Sequence, residues 1–176
     1  MSAPKDIEPT SVLSKAEWPG KLAETVVEVF SIMVGVNIVT TNPPTSSPKE
    51  MTALVGIAGA IRANLVLQCN PSSAVRLAAQ MLGIEPDAHG SAKAACDALG
   101  EICNIVAGYF KAKIGLGDAC VLSVPTVITG QHYRVPSAAY ERTELYWIFE
   151  GELVGITLEL APGLSLPDRS KKPIKA

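Results

Sequence analysis

The order of apolar patterns along this chain predicts an α+β fold, with helices layered on a mostly antiparallel sheet. Three observations lead there. The patterns read helix, three strands, two helices, three strands. Two segments, TALVGIAGAIRANLVLQC and TELYWIFEGELVGITLEL, share an alternating, hairpin-like pattern around a short turn. Hydrophobic residues form 48% of the 176 positions, enough for one domain with a real core and too many for a disordered chain. Helices against an antiparallel sheet satisfy such a pattern economically. The two similar segments suggest two pseudo-repeated halves, each a helix followed by a three-strand unit.

Taken in order, residues 1–15 read as a flexible arm, polar and broken by Pro4 and Pro9. A single domain is expected over 16–161. Pro19 can open a first helix, after Trp18, with Leu22, Val26, Val29, Phe30 and Met33 at helical spacing. A strand is expected over 36–40, then a Pro- and Ser-rich loop, TTNPPTSSPKE. Residues 51–58 and 63–69 read as two strands joined by a short turn. Asn70 and Pro71 look like an N-cap and first helical position, and Gly83 like the C-terminal stop. After a turn at 87–90, Ser91 is the candidate N-cap of a long helix over 92–113, which Gly115 and Gly117 end. Strands are expected at 119–129, 143–149 and 153–160, with Glu150 and Gly151 turning the last hairpin. Residues 162–176 read as a flexible basic tail carrying Arg169, Lys171, Lys172 and Lys175.

Composition removes several classes of function. Charged residues are 18% and the net charge is -2, so there is no basic field to attract nucleic acid. No apolar run reaches membrane-spanning length and no secretory signal opens the chain, so a cytoplasmic protein is expected. Cys69, Cys96, Cys103 and Cys120 lie apart in apolar surroundings and read as buried free thiols. His89 and His132 flank turn-like residues and do not cluster with other donors, which argues against a metal site. Tyr146, Trp147 and Phe149 read as sheet packing, with Trp147 alternatively facing a dimer partner.

The long helix carries the most informative pattern. Leu99, Ile102, Cys103, Val106 and Phe110 fall on one side and form its core face. Asp97, Glu101, Asn104 and Gly108 follow one another at spacings of four, three and four on the other side. A solvated polar face explains most such stripes. Here Asn is a mediocre helix former, and Gly108 costs about 1 kcal/mol against Ala in a helix interior. The glycine would leave space beside Asn104 for another backbone or side chain to approach. Glu101 can bind a cation, and Asn104 can orient a water without exchanging a proton. Neither is a nucleophile, and the chain has no P-loop, HExxH or GxSxG. Such a site takes the rest of its machinery from its substrate.

The segment DALGEICNIVAGYFKAKIGLGDACVLSVPTVITG resembles the signature region of the CheX-type chemotaxis phosphatases of the CheC/CheX/FliY group. That signature is Asp or Ser, three residues, Glu, two residues, Asn, then a proline on the following strand. Asp97, Glu101, Asn104 and Pro125 occupy those places. The resemblance implies a layered CheC-like fold and hydrolysis of the aspartyl phosphate on a CheY-like response regulator. Asn104 would position the attacking water and Glu101 would engage the regulator's active-site lysine. Asp97, Gly108 and Pro125 would support the helix and its flank. Mg2+ would be supplied by the regulator, with no cofactor of the chain's own. CheC relatives carry two such helices; in AETVVEVFSIMVG neither Glu24 nor Glu28 has an Asn three places later. One site per chain, in a homodimer, is expected. The alternative is a non-catalytic binding module or adaptor for a response regulator.

Overall fold

The computed structural model describes residues 12–42, 50–85, 91–131, 133 and 141–162. Helix α1 spans Trp18–Val29 with Pro19 in its first turn, where a missing N–H breaks no helical bond. A 3-10 turn over Lys15–Glu17 precedes it. Ser14 fastens that turn, its backbone N–H and hydroxyl donating to the Glu17 carboxylate at 3.0 and 2.8 Å. Leu22, Val26, Val29 and Phe30 are buried, as their spacing predicts. The helix runs on into a π turn, Phe30–Val34, and stops at Gly35 with φ of 74°. Residues 12–15, expected in the arm, are tied to the domain. Leu13 donates its N–H to the Ile114 carbonyl at 3.1 Å and accepts the Trp18 indole N–H at 3.2 Å. Residues 1–11 of the arm and 163–176 of the tail lie outside the described residues.

The expected strand over 36–40 shortens to β1, Thr40–Thr41. The chain finds a strand partner only where Thr40 lies opposite Trp147 and Thr41 opposite Tyr146. Most of the expected loop, residues 43–49, lies outside the described residues. Strands β2 (Met51–Gly59) and β3 (Arg62–Cys69) form the expected hairpin. Helix α2 (Pro71–Leu82) starts where Asn70 accepts the Ser73 N–H at 2.8 Å and ends at Gly83, φ 65°. The turn at 87–90, with His89, lies outside the described residues, as does His132. Helix α3 spans Ala92–Lys113, with the Ser91 hydroxyl accepting the Ala94 N–H at 3.4 Å.

The single strand expected over 119–129 is two, β4 (Cys120–Leu122) and β5 (Thr126–Thr129), both paired with β2. Leu122 faces Ile57 and Thr126 faces Leu54, so residues 123–125 stand opposite only 55 and 56. One extra residue makes a bulge. Pro125 has no N–H for the ladder, and Ser123 completes it with its side chain. The Ser123 N–H donates to the Gly56 carbonyl and the Gly56 N–H donates to the Ser123 hydroxyl, both at 2.9 Å. Strands β6 (Glu141–Phe149) and β7 (Glu152–Leu160) form the last hairpin. Glu150 and Gly151 both have positive φ, 47° and 84°, the geometry of a tight primed turn.

All pairings are antiparallel, in the order β1-β6-β7-β3-β2-β4, with β5 also on β2. The fold is therefore the expected α+β arrangement, with three α-helices and seven strands among the described residues. The expected repeat of two halves is not confirmed, α1 having 12 residues against 22 in α3. The short strands of each half pair with the other half's hairpin, β1 with β6 and β4 and β5 with β2. Trp147 is buried against Phe30, ring centroids 5.0 Å apart, so it serves the core and not an outer face. Cys69, Cys103 and Cys120 are buried free thiols. Burial pushes the Cys69 and Cys103 thiols up to about 12, which keeps them protonated near neutrality. Cys96 is only half-buried, because it sits on the flank of α3 next to exposed Asp97.

Candidate functional site

Helix α3 is the middle helix, in contact with α1, α2 and the sheet. Leu99, Ile102, Cys103, Val106 and Phe110 are all fully buried. The Cys103 thiol reaches the Leu65 carbonyl at 3.5 Å, which places this face over β3. Phe110 meets Trp18 edge-on at 6.1 Å and joins α3 to α1. At the C-terminal end, Lys111 donates to the Cys120 and Gly117 carbonyls and Lys113 pairs with Glu28. Two lysines in the last turn also suit the helix dipole. The helix is therefore held along one side and at its end, and its opposite side has a fixed orientation.

That opposite side carries the predicted stripe. Asp97 is exposed and pairs with Lys93 one turn earlier, at 3.3 Å. Both side chains are mostly solvated, so the pair is worth only about 0.3–0.5 kcal/mol. Glu101 is exposed and makes no hydrogen bond or ion pair among the described residues. Asn104, one turn on, is half-buried and its amide likewise bonds to none of them. A carboxylate and a carboxamide thus stand side by side, both available to an incoming molecule.

The bulged strand flanks this stripe. Pro125 is half-buried and rests on α3 at Gly100, where an added Cβ would lie 3.4 Å from the Pro125 Cβ and 3.3 Å from a Val127 methyl. At Gly108 a Cβ would meet only the Leu122 side chain among the described residues, at an ordinary 3.9 Å, so there is room beside it. The tight approach is at Gly100, which sequence reasoning missed. Its signal was available: Gly100, Asn104 and Gly108 recur every four residues along one line of the helix.

The larger grooves found among the described residues lie elsewhere. One of about 650 Å³ runs between the starts of α2 and α3, lined by Met51, Pro71, Val75, Ala95 and Cys96 among others. Another of about 700 Å³ follows α1 and the segment after it. Neither is lined by Glu101 or Asn104. The polar pair lies on a convex helix face, whereas small ligands are usually held in concave pockets. Such a face suits a macromolecule that brings its own cleft. Among the described residues no three His, Cys, Asp or Glu side chains cluster as metal ligands, and no helix is long and apolar enough to cross a membrane.

Residues 51–146, more than half of the chain and the whole of this stripe, match the family described as "Chemotaxis phosphatase CheX". No curated protein matches the sequence. Among solved structures the chain is similar to the chemotaxis protein CheX of Vibrio vulnificus, with TM-score 0.71 and 18% identity over 85% of this chain and 99% of that one. It is similar to a chain of the CheX-CheY-BeF3-Mg2+ complex of Borrelia burgdorferi, with TM-score 0.70 and 19% identity over 81% of this chain and 97% of that one. It also resembles FliY of Thermotoga maritima, with TM-score 0.61 and 18% identity over 88% and 94% of the two chains.

Proposed function

This chain belongs to the CheX chemotaxis phosphatase family, and from that membership we propose that it hydrolyses the aspartyl phosphate of a CheY-like response regulator. The observation that carries the reading is the pair Glu101 and Asn104, side by side on an outward helix face with no partner among the described residues. The regulator supplies the phosphoryl group, Mg2+ and an active-site lysine. Glu101 engages that lysine in a charge-assisted contact and so orients the regulator on α3. The Asn104 carboxamide, a donor and an acceptor at once, holds a water in line with the phosphorus. The water oxygen forms the new P–O bond as the bond to the aspartyl oxygen breaks, releasing the carboxylate and inorganic phosphate. Asn104 cannot take the water's proton, which leaves on phosphate. Phosphoryl transfer of this kind needs placement and charge stabilisation more than covalent help.

Asp97, Gly108 and Pro125 support the helix and its flank on this reading. Asp97 is already engaged by Lys93. The same reading includes a cytoplasmic homodimer acting in chemotaxis or another two-component pathway. The test is phosphate release from a phosphorylated receiver domain with wild type and Asn104→Ala. The variant is expected to bind the receiver and lose about 100-fold or more in kcat. Equal acceleration by the variant would remove Asn104 from the mechanism. Binding by wild type without acceleration would make the domain an adaptor.

A further inference from the structure

We infer that Gly100 is a positioning residue for this site, setting how far the Glu101–Asn104 turn stands from the bulged strand; the inference rests on the phosphatase reading. Gly100 directly precedes Glu101 and lies four residues before Asn104, on the same line of α3. It is buried, and a Cβ there would come within 3.3 Å of a Val127 methyl and 3.4 Å of the Pro125 Cβ. Ordinary carbon contacts are looser. The opposing surface is also stiff. Val127 is β-branched, with few χ1 choices, and the Pro125 ring fixes its own backbone.

The bulge holding Pro125 is pinned as well, since Ser123 and Gly56 exchange two hydrogen bonds at 2.9 Å. A side chain at residue 100 would therefore push the Glu101–Asn104 turn and the bulged strand apart by a few tenths of an ångström. Glu101 and Asn104 would shift relative to that strand. Docking through Glu101 tolerates a small displacement of a flexible carboxylate, whereas in-line placement of a water by a short amide does not. Glycine is otherwise a poor choice here, because it is the weakest helix former apart from proline.

The experiment compares wild type, Gly100→Ala, Val127→Ala and the double variant, measuring kcat and KM for a phosphorylated receiver beside a thermal melt of each protein. Gly100→Ala is expected to keep a cooperative melt, lose about tenfold or more in kcat, and change KM by less than about threefold. Val127→Ala in the same chain removes the 3.3 Å contact and should return most of the lost kcat. Wild-type kcat in Gly100→Ala, whatever its melting temperature, would overturn the inference, as would a loss that the double variant leaves untouched. If Gly100→Ala does not fold, the double variant is read against Val127→Ala, where equal kcat supports the contact and lower kcat overturns it. A wild type that never accelerates phosphate loss removes the phosphatase reading and this inference together, a result distinct from failure of the glycine variant alone.

Discussion

Helices α1 and α3 lie against one another, and both carry carboxylates at helical spacing. Their acids are in different states. On α1, Glu24 accepts from the Lys21 ammonium with both oxygens, at 3.0 and 2.7 Å. That hydrogen bond is the main cause holding its carboxyl below the ordinary 4.5. Glu28 is taken by Lys113, which reaches over from α3. On α3, Glu101 has no cation among the described residues, and Asn104 follows it at a distance of three. Three places after Glu24 and Glu28 stand Val27 and Ser31. A carboxylate already paired within the chain has little to offer a partner's lysine. The contrast teaches that the α1 acids are spent on pairs within the domain, while Glu101 on α3 has no such pair among the described residues.

The largest way to sharpen this contrast is to remove what α1 does supply. Trp18→Ala deletes a buried ring packed on Phe110 and should cost about 3–5 kcal/mol in denaturant unfolding. A loss below 1 kcal/mol would mean that α1 does not anchor α3. Next is the carboxylate pair itself. Glu101→Gln should lower kcat/KM for a phosphorylated receiver by about 10- to 100-fold, the range for one hydrogen bond to a charged group. Glu28→Gln should stay within about twofold, as expected of an acid spent on an internal ion pair. Equal losses from the two would break the comparison.

The smallest effect is one of pH. Because the folded-state pKa of Glu24 is lowered, its stabilising contribution is present above about 4.5 and is lost as pH falls through the folded value. Wild type should therefore melt slightly above Lys21→Ala near neutrality, and the gap should close as pH falls through the folded value. A gap that persisted in acid would show that Lys21 acts through packing and not through its charge.

Much of the fold was legible in the sequence because it depends on neighbours close along the chain. Asn70 and Ser91 cap their helices, Gly83 ends one, and Glu150 with Gly151 makes a primed turn, each through contacts within a few residues. The core face of α3 followed from periodicity alone, since 3.6 residues per turn fixes which side chains share a side. The same rule put Glu101 and Asn104 together. The strand expected at 36–40 failed for a complementary reason: Val36 and Val39 have strand propensity, but only Thr40 and Thr41 meet a partner.

What the sequence by itself determined was most of the elements, their order, and the polar stripe of α3. That Glu28 is taken was decided by tertiary structure, because Lys113 is 85 residues from it and reaches it only once α1 and α3 pack. So was the division of one strand into β4 and β5, which needed Gly56 opposite Ser123 before the bulge could satisfy its hydrogen bonds. The seat of Pro125 on Gly100 belongs to the same class. Spacing along a helix is a one-dimensional property and can be read from letters. A close approach between distant segments is set by where the whole core places them, and only the folded chain contains it.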